Sequence, residues 1–279
     1  MLSVMAAGPT IHHEALDWAT RASANGGTIS TTTIRAVSEF CRDIEKAQIR
    51  SAMYRVNLFC GGNLSGCLVP LYRGPTFGGT NFGGATDTAV NFVSGDFIET
   101  GTGGGLKGNG VNKYLRTTTG TSSIPSLLSS HLSVSGNEIE TSGDAVLLGV
   151  WNGGNAYSRF MLDAYHSASS GRSARIGPLG AVISSPSSAE SHLVGTRTSA
   201  TNLSIYSSGA LASTETTNRT PIALSGVGPY VFGLNPNNAV ANSLTASRLT
   251  MYSMGSGLTA VQVASFTAAV IAFNAALGR

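Results

Sequence analysis

The chain is expected to be mainly β: an antiparallel jelly-roll β-sandwich with an N-terminal helical hairpin and a C-terminal helix. Three observations predict this. In residues 9–49, apolar side chains recur every three or four positions, and the segment holds many of the charges. Most of the chain beyond residue 50 consists of short apolar runs separated by Gly, Ser, Thr and Asn, the pattern of strands joined by turns. Residues 259–277 then return to a helical period. The expected division is residues 1–50 for the hairpin, 51–112 for a strand and a long glycine-rich loop, and 113–279 for the sandwich with its closing helix.

The first helix is predicted over 9–24. Pro9 suits a first turn and Asn25-Gly26-Gly27 is a stop signal. The second begins with Ser30 or Thr31 as N-cap. Its apolar face is Ile34, Val37, Phe40, Cys41 and Ile44, and Arg35, Glu39, Arg42, Asp43 and Lys46 form the solvated side. A short connection makes the pair an antiparallel hairpin. Residues 54–59 alternate and read as a strand. Residues 68–72 are a second run, in which Pro70 implies an edge or a strand end. Residues 73–112 are a Gly/Thr/Asn-rich excursion, and a loop that long is usually functional or packed on a neighbour. Strands are then predicted at 113–118, 131–135, 145–151, 158–165, 174–179, 192–198, 202–207, 230–234 and 249–252, with turns such as Asn152-Gly153-Gly154 between them. The last helix takes Thr259 as N-cap, buries Val263, Phe266, Val270, Phe273 and Leu277, and stops at Gly278.

Composition narrows the function. Only 11% of the 279 residues are charged, against roughly 25% in typical soluble proteins, and glycine is abundant at 35 residues. The surface must therefore be built of Ser, Thr, Asn and backbone, as on proteins packed into assemblies or facing neutral glycans. A net charge of +3 without clustered Lys/Arg excludes a nucleic-acid protein. No run approaches the ~20 apolar residues of a membrane span. The N-terminus lacks the cationic start and apolar core of a secretory signal. Cys41, Cys60 and Cys67 are an odd set and form no disulfide framework. From Ala145 onward the acids are Asp163, Glu190 and Glu215, against seven arginines that include Arg159, Arg172, Arg175 and Arg197. That imbalance reads as scattered surface charge or as a face for acidic sugars or an acidic neighbour.

No catalytic constellation stands out. Gly103 to Gly108 fits GxGxxG, but it leads into a strand rather than a helix, so a dinucleotide site is not expected. The acids Glu138, Glu140 and Asp144 cluster, yet Asp144 lies beyond a turn, so the paired carboxylates of a glycosidase are not indicated. The chain is expected not to be an enzyme and to need no cofactor. Calcium is the one ion considered, with Asp96 and Glu99 in the loop as ligands. Trp151, Tyr157, Phe160, Tyr165 and Tyr206 are scattered aromatics, most of them expected in the core; one or two could stack on a sugar, and Trp151, Tyr157 and Tyr206 are the candidates, together with Arg159. Phe77, Phe82, Phe92 and Phe97 in the loop would be costly to expose and need a partner surface, either the chain's own sandwich or a neighbouring copy; the loop and the helical hairpin are expected to contribute to contacts between copies.

Several stretches resemble known proteins. Gly108-Asn109-Gly110-Val111-Asn112-Lys113-Tyr114-Leu115 is similar to the opening of concanavalin A-like (laminin-G/pentraxin-type) domains. His192 to Arg197, then Asn202 to Tyr206 and Ser208-Gly209, resemble that jelly roll's hairpin, Tyr230 to Asn235 another of its strands, and Leu249 to Gly255 its closing strand. The wider layout, from Ala15-Leu16-Asp17-Trp18 through Asn57 to Gly61 and Leu68 to Gly74, resembles a group of tailed-bacteriophage virion proteins. The resemblance implies a structural protein of a phage particle (tail, fibre or capsid decoration), located in the virion and partnered by its own copies and other virion proteins. The alternative is a carbohydrate-binding adhesin module recognising host-surface glycans. A glycan hydrolase is a third reading, and the stretch Glu138-Ile139-Glu140-Thr141-Ser142 departs from the E-x-D-x-x-E strand of the superfamily's glucanases.

Overall fold

A computed structural model describes residues 10–80, 82–117, 126–151, 158–178, 183–186, 192–218 and 227–279. Pro9, Tyr157 and the turn at 152–154 lie outside the described residues.

Four helices are described: α1 (His13–Ala24), α2 (Thr31–Lys46), the single turn α3 (Leu64–Cys67) and α4 (Ala260–Ala276). Each long helix starts at a side-chain cap that satisfies an otherwise orphaned amide. His12 Nδ1 accepts from the Glu14 N–H, and the Ser30 hydroxyl accepts from the Thr33 N–H. Thr259 and Gln262 form a reciprocal capping box on α4. None of these helices is long and apolar enough to cross a membrane.

The strands in chain order are β1 (Met53–Asn57), β2 (Tyr72–Arg73), β3 (Thr88–Val90), β4 (Phe97–Ile98), β5 (Gly105–Lys107) and β6 (Tyr114–Arg116). The longer ones come next: β7 (Ser130–Glu138), β8 (Ala145–Trp151), β9 (Ser158–His166), β10 (Gly171–Pro178) and β11 (Ile183–Pro186). The series ends with β12 (His192–Ser199), β13 (Asn202–Ser207), β14 (Ala210–Glu215), β15 (Tyr230–Val231), β16 (Leu234–Pro236) and β17 (Arg248–Gly255). One sheet runs β14-β13-β12-β7-β17-β1-β2, with β5 paired to β17 and β4 to β5. The other runs β11-β10-β9-β8-β15-β6-β3, and β16 adds the one parallel pairing among the described residues, on β8. The result is the antiparallel jelly-roll-like sandwich that the alternating runs predict, with helices from both ends of the chain.

Two apolar layers hold it together. The inner faces of both sheets meet around Leu132, Leu148, Phe160, Leu162, Leu193, Phe232 and Tyr252, all buried. The second layer lies on the outer face of the first sheet, where Met53, Val56, Val194 and Met251 meet Trp18, Phe40, Phe266 and Phe273 of the helices. The five residues predicted as the apolar stripe of α4 are all buried. The outer face of the second sheet receives no such helical layer among the described residues.

The structure corrects two sequence expectations and narrows a third. Residues 68–72 are not a strand. Asn63 caps the short α3 through the Gly66 N–H, and only Tyr72 and Arg73 pair with β1. The run 230–234 is split into β15 and β16, because Phe232 takes φ +67 and turns the chain back along β8. The third concerns the loop aromatics. Phe82 packs edge-on to Tyr54, Phe92 packs on Phe232, and Phe97 is buried in the inter-sheet core. Of the two covers the sequence left open, the chain's own sandwich supplies one for these three. Of the four, Phe77 stays 56% exposed, edge-on to His13 of α1.

A buried ionic cluster pins the excursion. Arg55 on β1 donates to Asp87 (2.7 Å), which also accepts from Tyr252 on β17 and from the Asn57 amide. Both charged side chains are fully buried. Arg55 also donates to the carbonyls of Phe82 and Gly84.

Candidate functional site

The outer face of the second sheet carries a cleft of about 260 Å³. Strand alternation builds it. Along β9, Phe160, Leu162 and Ala164 point into the inter-sheet core, while Arg159, Met161, Asp163 and Tyr165 line the cleft. Arg175 reaches the same face from β10, because it stands opposite Met161 in register. Trp151 closes one end from β8, opposite Arg159. Val146, Met161 and Leu234 form a small apolar floor with Trp151 packed against it. Gly149 lies beneath that floor, and a Cβ there would come 2.8 Å from the Met161 Cβ.

The polar groups converge on this floor. The Arg159 guanidinium lies 5.8 Å from the centre of the Trp151 ring. Arg175 is 8% exposed, pairs with Asp163 at 3.1 Å, and keeps a buried Nε without a hydrogen-bond partner among the described residues. Asp163 also accepts from the Ser173 hydroxyl. Burial pushes the Asp163 carboxyl up to about 6, against the opposing pull of Arg175 and Ser173. At the other end, Asp144 accepts from the Ser167 N–H and hydroxyl, which hold it below the usual carboxylate range. Burial lowers His166 beside it, reinforced by Arg175. Together these groups offer cationic nitrogens and an aromatic edge over an apolar floor, with carboxylates set at the margins. Such a surface suits a small ring-shaped ligand that bears a negative group.

Of the residues singled out in the sequence, the structure brings Trp151 and Arg159 together. It separates Tyr206 from them. That ring is 7% exposed and packs under the helices on the opposite side of the molecule, so Tyr206 is not a binding residue of this face. Sequence reasoning named Tyr165 among the aromatics and Arg175 among the arginines without placing them together, and it gave no binding role to Asp163 or His166. The signal available was the alternation of 159–165, in which charged and aromatic side chains interleave with Phe160, Leu162 and Ala164.

The expected calcium ligands do not converge. Asp96 accepts from the Val93 N–H and pairs with Lys113 at 2.5 Å. Glu99 accepts from the Gly61 and Gly62 amides at 2.6 and 2.8 Å. Each carboxylate is engaged by a different part of the chain, which corrects the expected pairing. Among the described residues, metal-type atoms come closest at the start of α1, where His12 meets Glu14 and Cys41, and His13 and Glu45. There the two His12 nitrogens are already engaged, Nδ1 by the Glu14 amide and Nε2 facing Glu45 at 3.1 Å. Of the acids considered for hydrolysis, Asp144 lines the cleft and the other two are engaged elsewhere. Glu138 pairs with Lys107 and Arg248, and Glu140 accepts from Thr245 and the Ala246 N–H. The three cysteines are free and buried.

No family model matches the chain. No curated protein matches it either. Solved structures do. The NanB sialidase of Streptococcus pneumoniae aligns at 16% identity and TM-score 0.42, covering 58% of this chain and 27% of its own. A Trypanosoma rangeli sialidase aligns at 14% identity and TM-score 0.46, covering 84% and 38%. The CBM40 of a Ruminococcus gnavus IT-sialidase aligns at 16% and TM-score 0.42, covering 60% of this chain and 100% of its own. The chain thus spans about a quarter to two fifths of those sialidases. At these identities the likeness concerns the β-sandwich fold. It also corrects one expectation: solved structures matching this chain are sialidases, which are glycoside hydrolases, so the expectation that the chain is not an enzyme is withdrawn.

Proposed function

We propose that the chain is a carbohydrate-binding β-sandwich whose cleft on β8, β9 and β10 takes an acidic sugar. The observation that carries this reading is Arg175: a nearly buried guanidinium with an unpartnered Nε, beside Arg159 and Trp151 at an open cleft. A planar guanidinium binds a carboxylate in a two-pronged fashion, and an indole covers the apolar face of a pyranose. Sialic acid is the probe, because it joins a carboxylate to such a ring. Calorimetry at pH 5.5 is expected to detect binding of N-acetylneuraminic acid and none of methyl glucoside. Arg159→Ala and Arg175→Lys should each weaken it by roughly tenfold or more, the loss of a charge-assisted contact. Equal binding of both sugars, or unchanged affinity in both variants, defeats the reading.

Asp163 gives this binding a pH dependence. Below about pH 6 its carboxyl is protonated and stops competing for Arg175. Affinity for the acidic sugar should therefore rise as pH falls from 7 to 5, and Asp163→Asn should flatten that dependence.

Display of this module on a tailed-phage particle is the second reading. It draws on the sequence resemblance and on Phe77, an exposed aromatic of the 73–112 stretch. Light scattering is expected to find an oligomer that Phe77→Ser shifts toward monomer. A protein that is monomeric at every concentration argues against self-assembly.

A further inference from the structure

We infer that the acidic-sugar cleft is one end of a longer track, and that the ligand is an oligosaccharide with negative groups on more than one residue. This rests on the carbohydrate reading and extends it along the same sheet face.

A second cleft, of about 290 Å³, is lined by Arg116, Tyr230, Asn235, Asn238 and Gly228. Leu234 lines the first cleft, and Asn235, next in the chain, lines the second. Register places both on one face. Arg116 stands opposite Tyr230, Tyr230 opposite Gly149, Gly149 opposite Met161, and Met161 opposite Arg175. Residues directly opposite on paired strands share a face, so Arg116 and Arg175 look out of the same side of the sheet.

The second cleft has its own recognition chemistry. Tyr114 and Tyr230 stack with centroids 4.9 Å apart. The Arg116 guanidinium sits 5.7 and 6.0 Å from those two rings and donates to the Tyr114 hydroxyl at 3.1 Å. Among the described residues, the groups that bear on the Arg116 charge are Tyr114 and Tyr230, with no carboxylate among them. The aromatic pair and the hydrogen bond hold the guanidinium at the cleft that Arg116 lines. The Asn235 amide donates to the Gly228 carbonyl and its oxygen accepts from the Asn238 N–H, which fixes the far wall.

Spacing excludes a single sugar bridging both ends. In the order β10-β9-β8-β15-β6, Arg116 lies three strands from Arg159 and four from Arg175. At roughly 4.8 Å per strand these are spans of about 14 and 19 Å. One pyranose ring cannot reach both, whereas a chain of several can. The neutral, apolar floor between them and the cationic groups at the ends suit a ligand whose charges are spaced along its length.

The test compares N-acetylneuraminic acid with its α2,8-linked dimer and tetramer by calorimetry on the full chain. The tetramer is expected to bind at least tenfold tighter than the monomer, beyond the statistical gain from its extra residues. Arg116→Ala should abolish that gain and leave monomer affinity within about twofold. A tetramer bound no tighter than the monomer overturns the track and spares the first cleft. So does a gain that survives Arg116→Ala. Absence of binding by every member, with the variant folded by circular dichroism, overturns both readings. Because Arg116 is exposed on a short strand, its replacement is not expected to unfold the protein.

Discussion

Replacing Asp87 with alanine is expected to destabilise the protein by about 3–5 kcal/mol, the cost of leaving a buried charge without its partner. Arg55 would remain fully buried among Tyr252 and the carbonyls of Phe82 and Gly84, with no anion to neutralise it. In the intact protein, burial opposes the Arg55 charge, but Tyr252 and Asp87 hold its pKa above the ordinary value. Asp87 also ties three elements that are far apart in sequence: β1 through Arg55 and Asn57, β17 through Tyr252, and the excursion on which it lies. Its loss should therefore release the excursion as well as lower the global midpoint. Hydrogen exchange at residues 82–98 measures the first effect, and urea denaturation read by fluorescence the second. The double variant Arg55→Met/Asp87→Leu should recover much of the loss, because it removes both charges together. A single variant within 1 kcal/mol of the parent protein contradicts the assignment of the cluster as the anchor.

Acid should detach the closing helix. His131 and His192 lie on adjacent strands of the first sheet, both fully buried, and both rings pack edge-on to Phe266 of α4. Burial lowers His131 to about 4, partly opposed by the Ser256 carbonyl at Nδ1. It lowers His192 to about 3, with His131 adding to the effect. In the unfolded chain both titrate near 6.5. The unfolded state therefore binds more protons between about pH 3 and 6.5, and stability falls as pH falls through that window. By pH 5 each histidine should have removed roughly 2 kcal/mol. Asp163 acts with the opposite sign, since its raised carboxyl favours the folded state on acidification, but it returns only about 1 kcal/mol over the same range. The histidines win, so the melting temperature should drop from pH 7 to pH 5, and amide protection in α4 should be lost first. His192→Gln keeps a neutral polar side chain near Thr267 and should reduce the drop. A melting temperature that is flat over this range, or equal slopes in the variant and the parent protein, refutes the mechanism.

Local residue patterns sufficed for the period of the long helices and of most long strands, though not for β14 at the sheet edge. The caps at Ser30 and Thr259, the stripe Val263 to Leu277, and the strand bounds 145–151 and 202–207 could all be read from local residues. These features depend on neighbours one to four residues away, which a sequence displays directly. The short strands β3, β4 and β5 could not be read, because each is two or three residues long and exists only through a partner brought from elsewhere in the chain. The loop aromatics illustrate the same limit. Phe82, Phe92 and Phe97 needed a cover, and the sequence could not say whether the cover was a neighbour or the chain's own sandwich. The candidate site divides in the same way. Trp151 and Arg159 stood out by residue type, but Tyr206 looked equally apt and lies on the other side of the molecule. Register decided between them. Arg175 reaches the cleft because β10 pairs with β9 so that it stands opposite Met161, and Arg116 shares that face through four successive pairings. Such placements are set by long-range strand pairing, whose free energy comes from burying both sheets' inner faces at once. Only the tertiary structure could place the charges along one face.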